Sequence, residues 1–427
     1  MSLALRSGRR GLRPRRSADF VWGFVTQVCS SGTNFGLTLL AARLLGPAGL
    51  GVVFIGFAAY QLVQGLQRAI LTQPLIAHAA ARDDLERRRL AGSALTVVVA
   101  TGVTASGGFA VAGLIAGGDT GRGLVLFAPW LVAALLQEFW KAVLFQEGRA
   151  RAGAISDATR FLVMVAAVPV VAAMRTDTAV VGVWGVASVI GFIAGAASLR
   201  PRLGPAREAL VWLRGDAWLL GRWLGAREVV YQVATYSTIL ILVAVIGSKD
   251  LGGLRAAESL FSPFSFIAAA FLLPALPALS RAVVKSRERA LRLTLRISAT
   301  AVLLGALYLV SMIFFGAWLL EHLFGQSFSP YRELIWPFAV SQLLYAGSFA
   351  FTILLTAERR GRELFVVGVV GGFATISLAT VFAGFGGVLG AAWGLTFASA
   401  VLSALVIAFA INAPSKQGTS SGSPVSS

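Results

Sequence analysis

Long apolar runs separated by short polar or basic connections recur from residue 20 to residue 411. Most are as long as the roughly 20 residues a helix needs to cross about 30 Å of hydrocarbon. Twelve helices are predicted, at 20–44, 50–76, 90–116, 123–146, 161–174 and 180–197, then at 226–246, 254–279, 291–320, 334–355, 364–385 and 388–411. The fifth is short by this measure and is expected to recruit residues from Asp157 onward. Segments of about ten residues with alternating polarity, the mark of a membrane barrel, do not occur. The fold class expected is an all-α polytopic membrane protein.

The pattern also repeats. The turn LLGPAGLG, from Leu44, and the helix after it have a paler copy in IGSKDLGG, from Ile246. A shift of 201 positions carries Leu45 onto Ile246, Gly46 onto Gly247, Leu50 onto Leu251, Gly51 onto Gly252 and Trp22 onto Trp223. A repeat of this length in a membrane protein points to two equivalent lobes and to a transporter. With six helices in each half, the lobes are parallel in topology and expected to surround a central cavity.

Composition agrees with that class and charge orients it. Apolar residues make up 57% of the 427 positions, charged residues only 13%, and the mean hydropathy is +0.78. The net charge of +18 would suggest nucleic acid in a soluble protein. Here the basic residues lie between the apolar runs, in the N-terminal tail and every second loop, as the positive-inside bias requires. No nucleic-acid partner is therefore expected, and both termini are placed in the cytoplasm. The lone Cys29 and the distant His78 and His322 offer neither a disulfide framework nor a metal centre, and no cofactor is expected. The expected divisions are a basic tail (1–18), a first lobe (19–199), an interfacial linker (200–222), a second lobe (223–411) and a disordered cytoplasmic tail (412–427).

Polar residues inside the helices are the candidate chemistry, since each is costly in lipid. Gln27, Ser31, Asn34 and Thr38 line one face of the first helix, and Gln61, Gln64, Arg68 and Thr72 one face of the second. The repeat carries Gln27, Ser31 and Asn34 onto Glu228, Gln232 and Thr235, and Gln61 and Gln64 onto Ser262 and Ser265, below Glu258. A wet cavity between the lobes, lined by helices one, two, seven and eight, follows. Helix-to-helix bonding is the alternative use of such groups, and it suffices for serine and threonine alone. Arg68 lies about 18 residues, or roughly 27 Å, into its helix and has no acidic residue one turn away. Glu138 and Lys141, three apart, are expected to pair. Arg160, Arg222 and Arg227 are expected at the cytoplasmic mouth. The candidate substrate contacts are Arg68, Gln61, Gln64, Gln27, Asn34, Gln232, Lys141 and Arg227, a basic set suited to a phosphate or pyrophosphate. No catalytic set is apparent, so a transporter is expected in place of an enzyme.

ARLLGPAGLG followed by a polar-striped helix resembles the start of bacterial polysaccharide-biosynthesis flippases, which move O-antigen or exopolysaccharide repeat units. They share a superfamily with multidrug and toxin extrusion transporters and the lipid II flippase. The resemblance covers essentially the whole chain, including FAPWLVAALL and IWPFAVSQLL in helices four and ten, which end in EGRAR and ERRGR. It implies translocation of a polyprenyl-pyrophosphate-linked oligosaccharide across the bacterial cytoplasmic membrane by alternating access, with Arg68 on the headgroup. It also implies polysaccharide polymerase and glycosyltransferase partners. Ala269 stands where the repeat would place a second Arg68, so headgroup binding is expected on the first lobe. Coupling to protons or sodium would fall to Glu138, Glu228 or Glu258. A proton- or sodium-coupled exporter of small molecules or drugs is the alternative function on the same fold.

Overall fold

The computed structural model describes residues 15–79, 84–264, 275, 279, 281–358 and 360–412, with side chains except at 15–20, 77–79, 84, 216–225, 227 and 228. All regular structure among the described residues is helical. Among the described residues eight helices are long and apolar enough to cross a membrane, and a bent pair makes a ninth. Three of the eight contain a glycine break, at Gly46, Gly247 and Gly386–Gly387, and each break turns one helix into two crossings. The described residues are consistent with the twelve crossings that the hydrophobic pattern predicts.

The helix Arg15–Gln67 breaks at Gly46 into α1 (15–46) and α2 (47–79), and α2 continues through a π turn at Arg68–Thr72. α3 is Asp84–Ala116. α4 runs from Gly118 to Gln146 through a 3₁₀ turn at Ala128–Trp130, where Pro129 cannot donate a backbone hydrogen bond. α5 joins Ala150–Ala166 to Val168–Met174 at a bend of 43°. It therefore begins eleven residues before the apolar run at 161, because polar positions such as Ser156 and Asp157 are buried inside the lobe and not left in a loop. α6 is Asp177–Ser198, and a linker helix, Ala206–Trp212, follows. The helix Trp218–Ser259 breaks at Gly247 into α7 (218–247) and the start of α8 (248–264). α9 is Arg287–Phe324, α10 is Ile335–Ala357, and Gly361–Ile411 divides into α11 (361–386) and α12 (387–411).

The two principal breaks share one cause. Gly46 has φ 70° and Gly247 has φ 81°, a region that side chains disfavour, so the helix can reverse there only at glycine. Five residues on, the lobes touch through their backbones. A Cβ on Gly51 would lie 1.9 Å from the Ser248 carbonyl oxygen, and one on Gly252 would lie 1.9 Å from the Pro47 carbonyl oxygen. The shift of 201 interchanges these two contacts, since Pro47 maps onto Ser248 and Gly51 onto Gly252. The repeat is thus a pseudo-two-fold axis running between α2 and α8. Arg43 also crosses the seam, donating to the Leu323 carbonyl at 2.6 Å and to that of His322 at the end of α9, and Ser248 bonds Asp119.

Each lobe has its own aromatic centre. Trp184 lies 5.0 Å from Tyr60 and 5.2 Å from Phe127 in the first, and Phe261 packs on Tyr308 and Phe338 in the second. These rings bury large apolar areas where lipid supplies little hydrophobic drive, so shape and edge contacts hold each lobe together.

Candidate substrate cavity

Directly beneath the glycine seam lies a cavity of about 430 Å³ between the lobes. Its described walls come from α2, α7 and α8, with Thr375 of α11 and Leu395 of α12. From α2 it receives Gln61, Gln64 and Arg68, and from α7 Gln232, Thr235 and Tyr236. These are the α2 and α7 stripes that the sequence places between the lobes.

Arg255 of α8 also lines this cavity, and the sequence reading overlooked it. The repeat pairs Arg255 with Phe54, and its guanidinium carbon sits 4.7 Å from the centre of that ring. The equivalent positions of the two lobes therefore meet face to face on the pseudo-axis, one as a cation and one as its π partner. Arg255 Nη1 donates to Glu258 Oε2 at 3.0 Å, so Glu258 is held in an ion pair one turn along its own helix. Arg255 thus brings a cation of the second lobe to the wall that Arg68 lines from the first.

The α1 stripe is corrected too. Gln27, Ser31 and Asn34 line a second, partly open chamber of about 370 Å³ walled by helices of the first lobe. Their spacing defines a helix face, and α1 presents that face to α2, α4 and α5, whose Glu138, Lys141 and Arg160 form the opposite wall. Gln27 Nε2 donates to Ser31 Oγ at 3.1 Å along this face. Gln61, Gln64 and Arg68 line both cavities, so this row of α2 is the partition between them.

Behind the chamber wall is a charge network. Lys141 Nζ lies 2.9 Å from Glu138 Oε2 and 3.2 Å from Asp157 Oδ2, and Arg160 Nη1 donates to Glu138 Oε1 at 3.3 Å. Gln137 Nε2 donates to Asp157 Oδ1 at 2.8 Å, and Arg160 lies over the Trp184 ring at 5.3 Å. The expected Glu138–Lys141 pair is present as half of this network. Arg160 was expected at the cytoplasmic mouth and is instead 1% exposed inside the lobe, because the start of α5 is folded in against α4 and α6. Asp157, expected only as an extension of the fifth helix, is also an ion-pair partner, and only the fold brings it to Lys141. Two carboxylates face two cations, which offsets most of the cost of burying any one of them. No group of three or more metal-ligating side chains occurs among the described residues.

The side chains of Arg222, Arg227 and Glu228, and residues Ser265 and Ala269, lie outside the described residues. The candidate contacts Arg68, Gln61, Gln64 and Gln232 gather at the inter-lobe cavity, and Gln27, Asn34 and Lys141 at the first-lobe chamber.

No protein-family model matches the chain, and no curated protein matches it in sequence. Solved structures do match its fold. An inward-facing multidrug resistance MATE family transporter of the MOP superfamily superposes with a TM-score of 0.69 at 14% identity, covering 92% of this chain and 94% of that one. The lipid II flippase MurJ in an inward closed conformation gives 0.67 at 13% identity, covering 93% and 88%. A MOP superfamily transporter from Pyrococcus furiosus Vc1, described as having a binding pocket of reverse polarity, gives 0.64 at 13% identity, covering 93% and 95%. At these identities the likeness shows the fold alone, a two-lobed all-helical membrane architecture.

Proposed function

We propose that this protein is a flippase for a polyprenyl-pyrophosphate-linked oligosaccharide, exporting it to the outer leaflet of a bacterial cytoplasmic membrane for cell-surface polysaccharide. The observation that carries this reading is the polarity of the inter-lobe cavity. Among the described residues its charged side chains are Arg68, Arg255 and Glu258, and Glu258 is bound to Arg255. The remaining polar wall is neutral amide and hydroxyl, the chemistry that exchanges hydrogen bonds with sugar hydroxyls. A pyrophosphate gains charge-assisted bonds from such arginines, whereas a cationic drug would meet repulsion.

In this reading Arg68 takes the pyrophosphate, Gln61, Gln64 and Gln232 contact the sugar nearest it, and the chamber lined by Gln27 and Asn34 takes sugars further along. The seam at Gly51 and Gly252 closes the outer end, leaving an inward-facing state with both termini in the cytoplasm. Lys141 and Arg160 neutralise Glu138, so Glu138 serves coupling only if the network opens. The second reading, a proton- or sodium-coupled exporter of small molecules, draws on the same buried carboxylates, Glu138 and Asp157.

Lipid extracts of a strain lacking the protein separate the two. Accumulated saccharide on polyprenyl pyrophosphate, with loss of a surface polysaccharide, is the expected result. An unchanged lipid profile with increased drug sensitivity would favour the exporter and overturn the flippase.

A further inference from the structure

A further pocket of the first lobe has no part in that mechanism. At the end of the lobe opposite the Gly46 turn, a cavity of about 580 Å³ is framed by the start of α3, the end of α4 and the segment 199–204 after α6. That segment is fixed in place: Gly204 N donates to the Gly92 carbonyl at 3.0 Å, and Thr96 Oγ1 donates to the Gly204 carbonyl at 2.7 Å. The pocket is thus a built feature of the lobe.

Its charges do not balance. Arg87 and Arg88 share Glu147, at 2.5 and 3.5 Å, and Arg89 takes Glu208 at 2.5 Å. Arg89's hydrogen bond holds the Glu208 carboxyl below the usual carboxylate range, so that glutamate remains ionised and committed. Arg200 and Arg202 also line the cavity and make no ion pair among the described residues. Four arginines, Arg88, Arg89, Arg200 and Arg202, thus line the pocket with one carboxylate, Glu147, while Glu208 bonds Arg89 from beyond the lining, so the described cations are in excess.

Its walls are not those of a site for a soluble anion. Trp140 and Val143 form a buried apolar floor, and the rim carries Leu85 and Leu203, which are 81% and 68% exposed. Large apolar side chains beside arginines at the end of a membrane helix match a ligand with a charged head and hydrocarbon tails.

We propose that this pocket binds the phosphate head group of an anionic membrane phospholipid, with Arg200 and Arg202 on the phosphate and Leu85 and Leu203 against the acyl chains. Segment 199–204 begins the connection between the lobes. A lipid seated there ties the start of that connection to the first lobe and makes movement of the lobes sensitive to membrane composition. The site is independent of the cargo.

The test is native mass spectrometry of the purified full-length protein in detergent, titrated with phosphatidylglycerol or phosphatidylcholine. The intact protein should retain phosphatidylglycerol in preference to phosphatidylcholine, and excess inorganic phosphate should not displace it. R200Q/R202Q should weaken the retained lipid's binding about tenfold or more. R332Q, remote from the pocket, should leave it unchanged. L203E keeps both arginines but places a carboxylate on the rim, and it should also lose the lipid. Equal retention by R200Q/R202Q, equal retention of the two lipids, or ready displacement by inorganic phosphate would each overturn the proposal, the last in favour of a soluble anion.

Discussion

Phe54, on which Arg255 rests, precedes Arg68 by 14 positions on α2, a separation of about 21 Å at 1.5 Å per residue. One pyrophosphate cannot touch both arginines, so they are successive stations and should fail differently. R68A should abolish both export and binding of the lipid-linked substrate, while R255A should retain binding and lose export by about tenfold or more. Binding to purified protein, read beside export in cells, distinguishes the two, and equal loss of binding in both would merge the stations into one site. The buried network gives a second prediction at this scale. D157N leaves Lys141 and Arg160 facing one carboxylate, and removing one partner of a buried pair costs about 3–5 kcal/mol. The double variant K141M/D157N should recover much of the lost thermal stability in detergent, and a simple sum of the two single losses would show that the groups do not act together. Arg255 and the ion-pair role of Asp157 escaped the sequence for separate physical reasons. The repeat aligns Arg255 with an apolar residue, and Asp157 acquires its partner only from another helix.

The helices themselves were far more legible, because the bilayer imposes their length and glycine imposes their breaks. LLGPAGLG and IGSKDLGG marked both reversals, and the shift of 201 positions anticipated a contact that no single helix could reveal, Gly51 on Ser248 and Gly252 on Pro47. What a stripe of polar residues faces was not legible. Gln27 and Asn34 have the same helical spacing whether α1 turns them toward its own lobe or toward the other. The seam supports a prediction at this scale. G51V places a branched side chain where a single Cβ already falls 1.9 Å from a carbonyl oxygen, so α2 and α8 must separate. The expected outcome is a correctly inserted protein whose outer end no longer closes, with export lost. Accessibility of a cysteine placed at position 54, in a protein whose Cys29 is serine, should rise relative to the same cysteine beside Gly51. An unchanged accessibility would show that the seam tolerates a side chain.

The proposed export by alternating access asks more of the whole molecule than a cavity, since the closed end must open without the lobes unfolding. Among the described residues the closed end is held by the glycine contact, by Ser248 on Asp119, by Arg43 on the carbonyls that end α9, and by Phe35 edge-on against Phe324. Arg43 is exposed, so its hydrogen bonds are worth about 1 kcal/mol after solvent screening. Its loss should move the balance of the two states by roughly fivefold without destabilising either lobe. R43A should therefore raise labelling from the outer side while the melting temperature stays unchanged. A covalent bridge tests the same element in the opposite direction. With Cys29 replaced by serine, D119C and S248C place the chain's two remaining thiols on residues whose side chains already meet across the seam. Closing that bridge by oxidation should stop export and leave substrate binding from the inner side intact, and reduction should restore export. Export that continues with the bridge closed would mean that cargo crosses without parting the lobes at this end. The pseudo-axis would then be a permanent hinge, and the path to the outer leaflet would have to leave the cavity sideways between α2 and α7.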